Sequence, residues 1–429
     1  MIEKKYKLSH YNVFFERKGN SYLWNTFSGA LIKVNESGKA YIDSFNGCES
    51  DDNYFKILKN NGCIVHTRFD ELGKVLIEEK TLMVNPAPER FHYTIAPTMS
   101  CNYNCNYCFE DGYMNRKKMS DDTQNLVCQY IFHQILRNKN LKQLTVRWFG
   151  GEPLLHMDAI QYISCQLDSF CHEHDIKYDA GIVTNGRFLT RKNAILLREC
   201  KVEYVQLSVD GMSERYIKMK YATPRDFDAT IENIVAASDI LPITVRINVS
   251  DDIEDAIRLT HYLLGDYKLD GKIKIYVAQI RRYGDSSTTI SGKKEHAQFL
   301  NLQQKYMKLF AENGNYKAES FARVIPRRRC TTCFSVCYTN PCIGPDGELY
   351  RCEHDFGKNE RIVGTVEAGR FYSFPDREYF EFEHFSECKK CSFLPICLGG
   401  CMNNTKAGAL DIECEQFKER MIDMLMFNA

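Results

Sequence analysis

The sequence has no net charge: its 429 residues include 56 basic and 56 acidic side chains, so it lacks the field that draws a protein to nucleic acid or to a membrane surface. It also lacks any apolar run near the roughly 20 residues of a membrane span. Its opening stretch, MIEKKYKLSHYN, has none of the apolar core of a secretion signal. We therefore expect a cytoplasmic protein with no nucleic-acid and no membrane partner. A reducing compartment argues against disulfides, yet 19 cysteines are present. With 44% hydrophobic residues, the chain is long enough for two or three packed domains.

Thirteen of those cysteines fall in two groups, at 101–108 and 330–414. The other six, Cys48, Cys63, Cys128, Cys165, Cys171 and Cys200, are scattered, and we read them as ordinary small core or surface residues. The first group is the run CNYNCNYC, with Cys101, Cys105 and Cys108, just after the apolar segment Phe91 to Pro97. Three thiolates on one tight loop can hold three irons of a [4Fe-4S] cube and leave the fourth iron without a protein ligand. Zinc is the competing occupant, although a structural zinc site wants four closed ligands.

After this loop the pattern alternates between strand and helix. Strands are expected at Phe91–Ala96, Gln143–Phe149, Tyr178–Val183, Glu203–Val209, Ile243–Val249 and Lys272–Ala278. Helices are expected at 120–137, 158–174, 191–199, 226–237 and 252–264. Such alternation builds parallel βαβ units, here an α/β fold with six strands curled into a partial barrel, whose ligands sit at the C-terminal strand ends. The residues there are polar or small. Gly150, Gly151, Glu152 and Pro153 follow the second strand, and Thr184, Asn185 and Gly186 the third. Ser208, Asp210 and Gly211 end the fourth, and Arg246 and Asn248 share one face of the fifth. Glycines admit close backbone approach, and Glu152 can accept hydrogen bonds from an ammonium group. Each run taken alone is also an ordinary turn signal.

The CX3CX2C spacing, with the aromatic Tyr107 before the last cysteine and GGEP some 40 residues on, resembles the signature of radical S-adenosylmethionine (SAM) enzymes. The resemblance implies a SAM-binding [4Fe-4S] cluster and reductive SAM cleavage to a 5'-deoxyadenosyl radical. It further implies that Gly150 to Pro153 contact the SAM amino group, with Arg246 facing its carboxylate. Thr184, Asn185 and Ser208 would reach the ribose or a peptide substrate.

The second cysteine group, Cys337, Cys352, Cys388, Cys391, Cys397, Cys401 and Cys414, is similar to the SPASM domain that extends radical SAM peptide-modifying enzymes and carries two auxiliary [4Fe-4S] clusters. A turn at Pro345-Asp346-Gly347 would bring Cys337 and Cys352 together on a hairpin. By the family's scheme, Cys388, Cys391, Cys397 and Cys414 hold the outer cluster. Cys337, Cys352 and Cys401 hold the inner one, with a fourth ligand from Cys330 or Cys333; Cys342 is a further spare thiol. The complement is then SAM and three [4Fe-4S] clusters. A zinc ribbon is the alternative for the CX2C at 388–391.

Residues 1–88 suggest a small winged-helix-like unit: strands at 11–17, 21–34 and 63–66, and helices at 38–45 and 53–60. They lack the basic face that DNA demands. The unit resembles the leader-peptide recognition element of peptide maturases, which adds the leader as an edge strand; a structural cap is the other reading. The domains expected are thus 1–88, 89–310 for the radical core and 311–429 for SPASM. The partners implied are a precursor peptide and an electron donor such as flavodoxin or ferredoxin. Glu353 and Asp210 are candidate general bases. The activity expected is oxidative modification of a ribosomally made peptide, most simply a thioether cross-link. Alternatives are a sulfatase-maturating enzyme, a carbon-carbon cross-linking enzyme and, from another class, a non-catalytic iron-sulfur electron carrier.

Anaerobic reconstitution should load about twelve irons, falling to about eight when Cys101, Cys105 and Cys108 are all changed to alanine. 5'-Deoxyadenosine should form only with the parent; zinc in place of iron overturns the assignment.

Overall fold

The computed structural model describes residues 4–110, 112–113, 116–249, 253–280, 288–313, 315–322, 326–331, 333–370, 374–402 and 414–428. The chain forms two compact units. One comprises Met1–Met83, Val324–Cys333 and Phe382–Ala429, the other Val84–Arg323 and Phe334–Glu381. The stretch 311–429, expected as one domain, is therefore divided between them.

The first unit begins with β1 (Tyr6–Leu8), β2 (Asn12–Arg17), β3 (Asn20–Asn25), β4 (Leu31–Val34), α1 (Glu36–Asp43), α2 (Asn53–Asn60), β5 (Ile64–His66) and α3 (Glu71–Val84). β1 pairs with β5, and β2, β3 and β4 form an antiparallel meander. The single strand expected over 21–34 is broken because the Asn25 side-chain oxygen accepts the backbone N–H groups of Phe27 and Ser28, an Asx turn. Asn35 and Asp52 cap α1 and α2 through the backbone N–H groups of Gly38 and Tyr54. Helix α3 had no strong pattern in the sequence. Its Val75 packs with Tyr11, Cys388, Leu394 and Leu398. Trp24, fully buried, meets Phe393 edge-on at 5.6 Å beside Met421 and Ile422. These apolar contacts are why the last cysteine-rich stretch folds with the N-terminal elements.

The second unit is built on a ten-stranded, mostly parallel sheet. Its parallel strands are β6 (Arg90–Ile95), β7 (Gln143–Trp148), β8 (Lys177–Thr184), β9 (Val202–Ser208), β10 (Ile243–Val249) and β11 (Ile273–Gln279), adjacent in chain order. Between them lie α4 (Asp121–Arg137), α5 (Met157–Glu173), α6 (Arg191–Glu199), α7 (Ser213–Lys220), α8 (Pro224–Ala237) and α9 (Glu254–His261); α10 (Thr288–Asn313) follows. All six expected strands form, within a residue of their expected ends. Ser120 caps α4 ahead of Asp121 and Asp122, and Thr223 with Asp226 makes a capping box on α8. Asp252, the expected start of α9, lies outside the described residues. α7 and α10 were not foreseen.

Alternation along the strands separates two faces. Leu144, Val146 and Trp148 of β7 are buried in the main core, while Gln143, Thr145 and Arg147 stand half-buried on the other face. β10 repeats this with Val245 and Ile247 against Thr244 and Arg246. Beyond β6 the sheet continues through β12 (Cys342–Ile343), β13 (Glu348–Tyr350), β14 (Ile362–Thr365) and β15 (Gly369–Arg370). β12 runs parallel to β6 and antiparallel to β13. This pairing ties 334–381 to the parallel sheet. Among the described residues no helix is long and apolar enough to cross a membrane.

Ile182 is fully buried in β8. Ile182→Ala should destabilise the protein by about 2–5 kcal/mol in urea unfolding.

Candidate active site

Cys101, Cys105 and Cys108 occupy the loop after β6. The segment before them is stitched to the glycine run after β7: Gly151 N donates to Thr98 O at 3.2 Å, and Glu152 N to Ser100 O at 2.8 Å. A Cβ on Gly150 would collide with Thr98 O, and one on Gly151 with Ser100 O. The close approach that needs these glycines is thus to the chain's own cysteine loop. Gly150 also holds φ at +106°, open only to glycine at little cost.

Glu152 is fully buried. Its carboxylate accepts the Thr184 hydroxyl at 2.7 Å, Asn185 N at 2.8 Å and Leu154 N at 3.0 Å. Burial raises its pKa, and these three donors oppose the rise. Within the protein these oxygens are met by three donors, as a buried carboxylate requires. Pro153 opens the single turn Pro153–His156, which Glu152 caps. Asn185 continues the chain of bonds, donating to Asn102 Oδ1 at 2.8 Å with Cys101 Sγ 3.9 Å away.

A second buried carboxylate holds the other side of the loop. Asp210 accepts the Tyr107 hydroxyl at 2.7 Å and Asn248 Nδ2 at 2.7 Å, and lies 3.4 Å from Lys220 Nζ. Lys220 and Asp210 are both sealed from solvent. The Lys220 pKa is raised well above its usual value although burial, the largest influence, lowers it; Asp210 and then the Tyr107 and Cys105 side chains outweigh burial. Lys220 Nζ also donates to Ser208 Oγ at 3.1 Å, and Arg246 Nε to Asn248 Oδ1 at 2.9 Å. Of the two candidate bases, Asp210 thus carries an ion pair and two hydrogen bonds within the protein. Glu353 pairs with Arg147, which stands on β7 and also donates to Thr94 at 3.2 Å.

Lys220 and Arg147 were missed. Lys220 lies four residues after Tyr216, also buried, on one face of α7, but α7 itself carries no clear apolar stripe. Arg147 reads as a solvated strand residue until Glu353 is folded against it.

The turn at 345–347 forms between β12 and β13, and Cys337 and Cys352 lie just beyond its two strands. Arg351 Nη2 donates to Val336 O at 2.7 Å, which brings their neighbours together. Cys352 Sγ is 3.6 Å from His354 Nδ1. Burial, then Lys358, Arg147 and Arg246, lower the His354 pKa to about 4. Cys342 is a strand residue of β12, buried with Ala96, Met99, Tyr350 and Phe356.

In the first unit, burial and the neighbouring Cys414 and Cys391 raise the Cys388 thiol to about 11. Burial, then Cys388, Cys414 and Cys391, raise Cys397 to about 12, against a bond from Gly399 N–H. The four thiols of this set thus lie within each other's electrostatic reach. Burial and, more weakly, Glu152, Cys105 and Cys108 raise Cys101 to about 12, and Tyr103 N–H opposes this. Among the described residues no three His, Cys, Asp or Glu side chains stand at single-ion spacing. Close but not convergent thiols with N–H donors to sulfur fit an iron-sulfur cube, which spreads its thiolates wider than one ion does. A cavity of about 190 Å³ is lined by Arg329, Cys333, Ile396, Cys397, Gly400, Cys401 and Phe417. Cys333 lines it; Cys330 does not.

A parallel α/β sheet whose first strand end presents three thiols defines a class of metal-cofactor enzyme. Residues 95–260 match the radical SAM superfamily, so this part of the chain is a radical SAM enzyme domain, a family that implies SAM and a [4Fe-4S] cluster. The radical SAM cyclopropyl synthase TigE of Paramaledivibacter caminithermalis is 29% identical over 337 residues, 70% of this chain and 66% of that protein. The chain thus spans just under two thirds of that relative. A cysteine-type anaerobic sulfatase-maturating enzyme of Clostridium novyi is 23% identical, over 78% of this chain and 96% of that protein. Among solved structures, anSMEcpe with bound AdoMet matches with a TM-score of 0.57 at 18% identity, covering 79% and 97% of the two chains. Streptococcus suis SuiB bound to precursor peptide SuiA matches with a TM-score of 0.53 at 16% identity, covering 93% and 96%. These likenesses identify the fold.

Lys220→Met leaves the Asp210 charge buried and unpaired and should cost about 3–5 kcal/mol in urea unfolding. Adding Asp210→Asn should recover part of the loss. An additive double variant overturns the coupling.

Proposed function

We propose that this protein is a maturase of a ribosomally synthesised precursor peptide, and that it installs an oxidative cross-link, a thioether between a cysteine sulfur and a carbon. The observation that carries the reading is the pairing of one three-thiol loop at a strand end with a separate four-thiol set, Cys388, Cys391, Cys397 and Cys414, in mutual electrostatic reach. Support also comes from SuiB, solved with its precursor peptide.

When bound, SAM and its cluster supply a 5'-deoxyadenosyl radical that takes one hydrogen atom from the peptide; an external donor such as flavodoxin or ferredoxin delivers the starting electron. Cys101, Cys105 and Cys108 hold that cluster. Glu152 and Asp210 fix the loop, and Asn185, Ser208 and Arg246 line the strand ends where SAM and peptide meet. Forming a carbon-sulfur bond from the carbon radical and a thiol releases one proton and one further electron. The expected auxiliary clusters would take that electron, the outer one held by the four-thiol set above. Among the described residues β2 and β4 are the edge strands of the β2–β3–β4 meander, and an edge strand is where a leader strand would add.

Two relatives favour a second reading. The cyclopropyl synthase points to a carbon-carbon bond, and the sulfatase-maturating enzyme to aldehyde formation on a cysteine. Mass spectrometry after incubation with a cysteine-containing precursor peptide separates all three. A loss of two mass units with one thiol consumed is expected. The same loss with every thiol free indicates a carbon-carbon bond, and aldehyde on a sulfatase-motif peptide the third activity; either outcome overturns the thioether assignment.

A further inference from the structure

His384 is a buried imidazole outside every cysteine motif, with only 4% of its side chain exposed. It reaches Glu79 of α3, equally buried, through Nε2 at 2.5 Å. Lys80 fastens the same helix to the preceding turn by donating to Phe382 O at 2.8 Å. The Phe382 ring stands edge-on to the imidazole at 5.4 Å. The remaining ring nitrogen, Nδ1, has no hydrogen-bond partner among the described residues.

Leaving a buried ring nitrogen unsatisfied is costly, so its direction matters. A Cβ built on Gly399 would lie 3.0 Å from His384 Nδ1 and 3.9 Å from Cys388 Sγ. The open nitrogen and a thiol of the four-cysteine set thus flank the same small space, kept free by a residue without a side chain. Leu398, Gly399 and Gly400 all take positive φ, at 47°, 71° and 88°. Gly399 N–H bonds Cys397. Leu398 N–H and Gly400 N–H are taken up by Leu394 O and Cys397 O, so Gly399 supplies the N–H that reaches sulfur at this turn.

We propose that His384 is a positioning residue for the outer auxiliary cluster: Glu79 holds Nε2, and Nδ1 donates its N–H to a cluster sulfur. This rests on the cluster assignment above. Four cysteines already complete that cube's ligation, so the imidazole serves as a donor and not as a fifth ligand. A carboxylate behind a ring that faces a metal centre fixes its orientation. Hydrogen bonds to cluster sulfurs set reduction potentials; a donor stabilises the more negative, reduced cluster and so raises the potential.

The test is an EPR-monitored redox titration of the reconstituted protein with Cys101, Cys105 and Cys108 changed to alanine, so that the auxiliary signals stand alone. The outer signal is the one lost on Cys391→Ser. His384→Gln keeps a group toward Glu79 but removes the donor toward the cluster, and His384→Asn does the reverse. Both variants should hold the parent's iron. The outer potential should fall in His384→Gln and stay at the parent value in His384→Asn, with the inner potential unmoved. An unchanged potential in His384→Gln, or loss of about four irons in both variants, overturns the proposal. A parent that shows no signal assignable to Cys391 overturns the cluster assignment itself, a distinct result.

Discussion

Two carboxylates without access to water, Glu152 and Asp210, hold the rest of the site in place. A buried carboxylate must be met by donors, and each finds them on chain segments far apart in sequence. Glu152 gathers the ends of β7 and β8 and, through Asn185, the first cysteine. Asp210 gathers β9, β10, α7 and Tyr107 between the last two cysteines. The cysteine loop is suspended between these two anchors. Displacing the loop would leave a buried charge unsatisfied.

The first unit meets the same need by other means. Its thiols sit where α3 and the meander give apolar cover, with Tyr11, Val75, Trp24 and Phe393 closing around them. Gly399 N–H meets Cys397 and Phe393 N–H meets Cys391 Sγ at 3.4 Å. In the other unit Tyr103 N–H stands 3.5 Å from Cys101 Sγ; N–H donors to sulfur are among the surroundings that control a cluster's potential.

Much of the second unit was legible before folding. Six strands and the helices between them carry their own periodicity: the strand ends differ from expectation by no more than a residue, while α8 begins two residues earlier than expected and the helix expected over 252–264 runs as α9 over Glu254–His261. The short helix α7 and the long α3 were not legible, because their apolar spacing is weak and packing alone decides them. The division into two compact units was hidden for a related reason. Chain order suggested that 311–429 was one piece, but β12 pairs with β6 while Phe393 packs on Trp24, and both contacts join residues hundreds of positions apart.

The sequence by itself determined the chemistry on offer: thiol spacing, glycine placement and strand-end polarity are local, and a spacing of two or three residues constrains how far apart sulfurs can stand. What only the tertiary structure decided is which polar groups are committed. Glu152, Asp210 and Glu353 look alike as free acids in a string of letters. Burial and the approach of Thr184, Lys220 and Arg147 turn them into anchors, because the cost of an unpaired charge depends on the solvent around it.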